Sequence, residues 1–222
     1  MKKKIPVILE DNPYYKMSQL DIGQYPQEFW DVSETITELS YLTHSYFRYY
    51  GKFPSKIGKL IVEDLDNRHE ISPANDFVLD NYAGSGTTLV EAKLHGYDSF
   101  GIDINPFAVL SCKVKTRNYS VPALKAYWAD LCNEISAYNN ALLSSDEQQS
   151  LFANVSSNFS MFIQNEIKDF KENNPDFEKW FTTSALTGLA IIKCLLLKRP
   201  ATDERDFFEL AYFAIIRRVH SA

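Results

Sequence analysis

With 222 residues, 45% of them hydrophobic and 23% charged, the chain has the make-up of an ordinary globular protein with one sizeable core, which excludes a mainly disordered polypeptide. A formal net charge of −6 is the wrong sign for coating nucleic acid, so any DNA contact has to come from a local basic patch. Cys112, Cys132 and Cys194 are scattered without CxxC spacing and His44, His69, His95 and His220 lack ligand spacing, so neither a disulfide framework nor a metal site is indicated.

The amino terminus MKKKIPVILEDN has only a short apolar run, which is not a secretory signal, and a reducing, cytoplasmic setting fits. Pro6, Pro13, Gly23 and Pro26 mark residues 1–30 as an extended, turn-rich lead-in. From Ser33 and Glu34 the repeat Ile36, Leu39, Leu42, Tyr46 predicts a helix running to Gly51. Beyond Lys52-Phe53-Pro54, the residues Ile57, Leu60, Ile61 and Leu65 predict a second helix with Lys52, Lys56 and Lys59 on one side. The apolar run from Asp76 to Asp80 predicts a buried strand. A glycine loop from Asn81 to Thr88 follows, then a helix through Leu89, Val90, Ala92 and Leu94 that stops at Gly96. Ser99 to Asp103 reads as a second strand closing on a carboxylate, and Asn105-Pro106 opens another helix. Strand, loop, helix and strand in this order imply an α/β fold with a parallel sheet.

Leu124, Tyr127, Leu131, Ile135, Tyr138 and Leu142 predict a long helix with one apolar face. Residues 144–158 read as a polar loop and Asn173-Asn174-Pro175 as a break. One closing helix spans about Ser184 to Leu197; the last, after Asp203, is apolar nearly all round from Phe207 to Ile216 and should be buried on most sides. The longest apolar stretch, Ala185 to Leu197, is shorter than the roughly 20 residues a bilayer requires, so no membrane span is expected. The chain divides into a lead-in with helices (1–70), a strand-loop-helix-strand unit (71–120) and a helical region (121–222), within one structural unit.

A strand ending in a Gly-x-Gly turn that feeds a helix sets backbone N–H groups and the positive helix end beside a pocket suited to adenosine or phosphate groups. Asp103 lies 23 residues beyond Asp80, about where a ribose-binding acid belongs. Leu89 replaces the third glycine of a dinucleotide fingerprint, which disfavours a nicotinamide cofactor. Gly86 is followed by Thr87-Thr88 rather than Lys-Thr, which disfavours a nucleotide triphosphatase. Taken alone, Gly84-Ser85-Gly86 also suits a helix-initiating turn that binds nothing.

The string LDNYAGSGTTLVEAKLHGYDSFGIDINPFAV resembles the cofactor-binding segment of DNA methyltransferases that modify the exocyclic amine of adenine or cytosine. Upstream, HSYFRYYGKFPSKIGKLI resembles the segment that completes the methionine side of the cofactor pocket in that family; Asn81 departs from the family's usual proline. Downstream, KWFTTSALTGLAIIK and RDFFELAYFAIIRRVHSA are similar to a helical region that some members place before their catalytic loop. The resemblance implies a Rossmann-like, S-adenosylmethionine-dependent methyltransferase core with additional helices. It implies that Asp80, Tyr82, Ala83, Gly84, Gly86 and Thr87 line the methionine side of S-adenosylmethionine, that Phe53 and Pro54 flank it, and that Asp103 holds its ribose. Ile104 and Pro106 suit two roles equally: packing near the adenine, or serving as ordinary core and helix-start residues.

Methyl transfer to an exocyclic amine needs an acceptor for the amine and an aromatic surface for the extruded base. The family supplies both as Asp/Asn/Ser-Pro-Pro-aromatic, and no such tetrapeptide occurs here. Asn12-Pro13-Tyr14-Tyr15 and Asn174-Pro175-Asp176-Phe177 come nearest, and no catalytic residue is assigned. The expectation is an amino-terminal, cofactor-binding portion, inactive alone, of a DNA amino-methyltransferase in a restriction-modification setting. Its first strand would leave an open edge, to be met by self-association or by a second polypeptide carrying the catalytic loop. Two other readings stay open: a non-catalytic subunit or remnant of a split methyltransferase, and an RNA or small-molecule methyltransferase. Lys52, Lys56, Lys59, Arg217 and Arg218 either touch DNA phosphates or form solvated surface.

Overall fold

The computed structural model describes residues 34–35, 37–47, 49, 51–143 and 157–219; the lead-in, the Asn12 to Tyr15 tetrapeptide and most of the polar loop lie outside them. The helix expected from Ser33 to Gly51 is instead two 3-10 turns, Glu38–Ser40 and Leu42–Ser45. Tyr41 between them is extended, at φ −70° and ψ 158°, and Leu42 has a φ of +46°. The apolar repeat is overridden because the side chains of Tyr41 and His44 both turn inward to one buried carboxylate, Glu91.

Helix α1 (Ser55–Asn67), strand β1 (Phe77–Asp80), helix α2 (Thr87–Leu94), strand β2 (Asp98–Gly101) and helix α3 (Pro106–Thr116) follow. The strands pair in parallel, from Phe77 against Asp98 to Asp80 against Gly101. α1 and α2 cover one face of this sheet, burying Val62, Ala92 and Tyr97 with Val78 and Ile71 packed beside them. The Tyr97 hydroxyl donates to Asp66 Oδ1 at 2.6 Å, which ties the entry of β2 to the end of α1. β1 was expected to be buried, but its residues alternate: Phe77 and Leu79 are exposed while Val78 and Asp80 are half-buried. Phe100 and Ile102 continue the exposed apolar face, and Phe77 meets Phe100 edge-on at 5.3 Å. An apolar run marks a strand without saying how many layers cover it, and here helices lie on one side among the described residues.

A second core joins α4 (Val121–Leu143), α5 (Ser157–Asn173), α6 (Thr183–Leu197) and α7 (Asp203–Val219) through Leu131, Ile163, Ala190, Ile191, Cys194, Leu195 and Leu196. α5 is not among the elements expected from the sequence, although Ile163, Ile167 and Phe170 recur at helical spacing; its polar surroundings hide them. α7 is less buried than its composition suggests: Leu210 is buried, Phe207, Phe208 and Phe213 are half-buried and Ile215 is exposed. The reason is its bridging position. Phe213 meets Phe107 of α3, Phe207 meets Tyr46 and Tyr119, and Phe208 stacks on Tyr127 of α4. Lys113–Asp206 and Arg117–Asp203 ion pairs fasten α3 to α7, and Arg199 joins α6 to Asp130 and Glu134 of α4. No helix among the described residues is long and apolar enough to cross a membrane.

α3 starts where Asn105 Oδ1 accepts the Phe107 N–H at 3.0 Å and Pro106 opens the first turn. Its inner face then underpins the glycine loop. Cys112 Sγ donates to the Gly84 carbonyl at 3.4 Å, and Lys115 Nζ donates to the Ser85 carbonyl at 2.8 Å. Lys115 is buried, and burial together with the nearby charge of Lys52 pulls its pKa down to about 8. Gly101 is the matching concession in β2, since a Cβ there would lie 2.5 Å from Leu89 Cδ1 and 3.0 Å from Ala83 Cβ.

Gly101→Ala is expected to lower stability by about 1–3 kcal/mol, and Leu89→Ala in the same chain to remove part of that loss, as read by denaturant midpoints. Between its depressed pKa and its ordinary value Lys115 binds more protons unfolded than folded, so raising the pH through that window stabilises the fold. The difference in thermal midpoint between parent and Lys115→Met should therefore move in the parent's favour from about pH 8 to about pH 10. A constant difference would show the amine to be solvated.

Candidate functional site

The two strands end side by side and the polypeptide between them is lashed across their ends. Ile102 N–H donates to the Asp80 carbonyl at 2.8 Å and Ala83 N–H to the Ile102 carbonyl at 3.0 Å. Gly84 and Gly86 then take positive φ values of 50° and 80°. Gly86 is held to glycine twice over, because a Cβ would also approach Cys112 Sγ to 3.0 Å and its Cα to 3.1 Å. Asp103 Oδ2 accepts the Gly84 N–H at 2.8 Å, and Oδ1 accepts the Asn105 N–H at 2.8 Å. Gly86 N–H donates to the Ala83 carbonyl at 2.7 Å. The amides of Tyr82, Ala83, Gly84 and Gly86 are thus spent inside the protein, and Asp103 is first of all the strut that holds the bend. Each of its oxygens keeps a second lone pair, and the residue is half-buried.

The loop forms one wall of a cleft of ≈ 480 Å³, within the usual size range of small-molecule sites. Leu79, Asp80, Tyr82, Ala83, Gly84, Ser85, Thr87 and Thr88 line that wall; Tyr49, Gly51, Lys52 and Phe53 form the other, with Ile61 from α1. Of the residues singled out in the sequence, the cleft brings together Phe53, Asp80, Tyr82, Ala83, Gly84 and Thr87. Gly86 lies behind it against Cys112, Pro54 precedes the first turn of α1, and Asp103 braces the loop. Ile104 is 100% exposed, so it is no core residue, while Pro106 does open α3. Leu89, in place of a third glycine, is buried with Ala83 and Cys112; the space it fills is granted by Gly101.

Seven lining residues were not picked out as such: Tyr49, Gly51, Lys52, Ile61, Leu79, Ser85 and Thr88. The one signal was adjacency, since Gly51-Lys52 precedes Phe53. Lys52 does not share a helix face with Lys56 and Lys59. It precedes α1, its Nζ donates to the His44 carbonyl at 3.0 Å, and burial lowers its pKa against the opposing charge of Glu91. Lys56 pairs with Glu34 and Lys59 with Glu63, so the three lysines form no common phosphate patch. Ser85 Oγ and Thr87 Oγ1 are buried without a hydrogen-bond partner. The cleft thus combines an ammonium, aromatic rims and a carboxylate at the end of β1, with two unmatched hydroxyls buried within its loop wall. That set suits a small zwitterion with an aromatic body.

Asn174-Pro175-Asp176-Phe177 is structural: Phe177 is buried, lies edge-on to Phe170 and sits beneath the Lys171 ammonium, so its ring offers no stacking surface. A second cavity of ≈ 370 Å³ opens between α5, α6 and α7, lined by Phe170, Phe181, Tyr212 and Phe213, where Glu166 and Lys193 pair with each other. Among the described residues no group of three or more His, Cys, Asp or Glu is placed to hold a metal ion.

A family model described as DNA methylase matches residues 2–113. The chain is 33% identical over 116 residues to the Type II methyltransferase M.MjaII of Methanocaldococcus jannaschii, which covers 51% of this chain and 21% of that protein. It is 26% identical over 186 residues to the Type II methyltransferase M.MvaI of Kocuria varians, covering 82% of this chain and 36% of the relative. With the Type II methyltransferase M.BsoBI of Geobacillus stearothermophilus it shares 33% identity over 73 residues, 33% of this chain and 13% of the relative. The chain therefore spans little more than a third, at most, of the length of these relatives. No solved structure matches it. With the family match covering half of the chain, including the glycine loop and both strands, this protein belongs to the DNA methylase family.

Proposed function

We propose that the chain is the cofactor-binding part of a DNA methyltransferase that uses S-adenosylmethionine to methylate adenine N6 or cytosine N4. The observation that carries the reading is the cleft between the glycine bend and the Tyr49 to Phe53 wall. When bound, S-adenosylmethionine supplies an electrophilic methyl group on a sulfonium. The residues present fit it. Lys52 with the Ser85 and Thr87 hydroxyls would meet the amino-acid carboxylate, and the free lone pairs of Asp103 would accept the ribose hydroxyls. Tyr49, Phe53 and Tyr82 would flank the ligand and exclude water from it. Residues 71–120 would then be the cofactor unit, with 1–70 closing its methionine side and 121–222 buttressing it through α7.

The two-stranded sheet is read as part of a Rossmann-like core whose further strands would pair along the outer edge of β1, from a second polypeptide or a second copy of this chain. DNA would be held mainly by that remaining part, given the −6 net charge and the ion-paired lysines described above. A restriction-modification setting, in the cytoplasm, accords with the likeness to Type II methyltransferases. One observation favours a second reading, a non-catalytic subunit or remnant: these 222 residues contain no Pro-Pro-aromatic sequence with which to hold a target base.

Calorimetric titration of the parent with S-adenosylmethionine is expected to show saturable binding, weakened about tenfold or more by Asp103→Ala and by Lys52→Met, about 1.4 kcal/mol each. No binding by the parent would end the assignment. Mixing the chain with a polypeptide that carries a Pro-Pro-aromatic loop should restore methyl transfer to DNA, measured with a labelled methyl donor. Transfer that stays absent although the two chains associate would instead favour the non-catalytic reading.

A further inference from the structure

Glu91 lies on α2 with 0% exposure, an unusual position for a carboxylate and one that costs stability unless partners are brought to it. The partners come from far away in the chain. The Tyr41 hydroxyl donates to Glu91 Oε1, and His44 Nε2–H donates to the same oxygen at 2.7 Å, the histidine being 1% exposed. The two rings meet edge-on at 4.9 Å, which fixes their relative orientation. The backbone gives up regular structure to allow this: Tyr41 is extended and Leu42 enters the left-handed region at φ 46°, a conformation that a leucine rarely adopts. Ser55, the first residue of α1, secures the start of the same turn by donating its hydroxyl to the Leu39 carbonyl at 2.7 Å.

What this arrangement holds in place is a wall of the cleft. The carbonyl of His44 accepts Lys52 Nζ at 3.0 Å, and Lys52 is the ammonium that lines the cleft opposite Ser85 and Thr87. We infer that Glu91 is a positioning residue for the ligand's anionic end, acting through Tyr41 and His44 on the placement of Lys52. The contact is not with the ligand, since Glu91 does not line the cleft. It works through two routes that add. Fixing His44 sets the carbonyl that orients the ammonium, and the negative charge of Glu91 opposes the loss of the Lys52 proton that burial favours. This inference rests on the reading of the cleft as an S-adenosylmethionine site, and it deepens that reading by assigning discrimination for the amino-acid end of the ligand to a residue outside the pocket.

The test compares two ligands that differ at that end, S-adenosylmethionine and 5′-methylthioadenosine, which has the same nucleoside without the amino-acid carboxylate. Binding of each is measured by calorimetry on the full chain. Glu91→Ala should weaken S-adenosylmethionine about tenfold or more and 5′-methylthioadenosine less than about twofold, and Glu91→Gln, which keeps the acceptor and loses the charge, should fall between parent and Glu91→Ala. In a Lys52→Met background the Glu91→Gln effect on the ratio of the two affinities should vanish, because the two residues act in series. Should Glu91→Ala not fold, Tyr41→Phe removes one hydrogen bond from the cluster and should shift the ratio in the same direction. Parallel loss for both ligands, or a Glu91→Gln effect that survives in Lys52→Met, would reduce Glu91 to a packing role and overturn the inference. A parent that binds neither ligand would instead overturn the reading of the cleft, and the inference with it.

Discussion

Everything at the site depends on how the polypeptide is held as it leaves β1. A tight bend with two left-handed glycines has no side chains of its own to keep it in shape. The protein supplies the restraint from outside: Asp103 takes the Gly84 amide, the β2 extension takes Ala83, and α3 takes the carbonyls of Gly84 and Ser85. The bend is therefore defined by residues from three directions. A ligand meeting it would find a wall already in position, which is how binding avoids the cost of ordering a loop. Asp103 shows why a site residue is not described by a single role. It sits where a ribose acid is expected, and it is also the strut without which there would be no defined loop.

Buried polar groups are arranged around this loop on both sides. Lys115 lies beneath it and the Tyr41, His44 and Glu91 cluster lies behind the opposite wall. Such groups are poor sources of stability compared with apolar packing, but each fixes a geometry that an apolar contact would leave free to slide. The aromatic contacts of α7 do the complementary work. Phe207 and Phe213 press on Tyr46, Tyr119 and Phe107, so the helical region bears on the same wall that Lys52 belongs to.

The strand-loop-helix-strand unit was legible in the sequence because its signals are local. Glycines at forced turns, carboxylates at strand ends and Asn105-Pro106 at a helix start each act over a few residues. What the sequence concealed was set by contacts between distant residues. The helix expected before Gly51 gave way because Tyr41 and His44 reach a partner some 50 positions on. Lys52 was placed on a helix face with Lys56 and Lys59, since nothing nearby reveals that its partner is the carbonyl of His44. The half-exposure of β1 was hidden for the same reason: an apolar run tells of a strand, while the number of layers around it is a property of the whole assembly. α5 was overlooked between polar stretches although its apolar residues keep helical spacing.

The thiol of Cys112, seated under the bend with its proton directed at the Gly84 carbonyl, has one more consequence. Burial pushes its pKa up to about 11, so at neutral pH it is both shielded and almost wholly in the unreactive form. An electrophilic label can modify it only in the moments when the glycine turn lifts away and water enters. The rate of that modification would serve as a clock for opening of the turn, and a bound nucleoside would slow the clock without touching the sulfur.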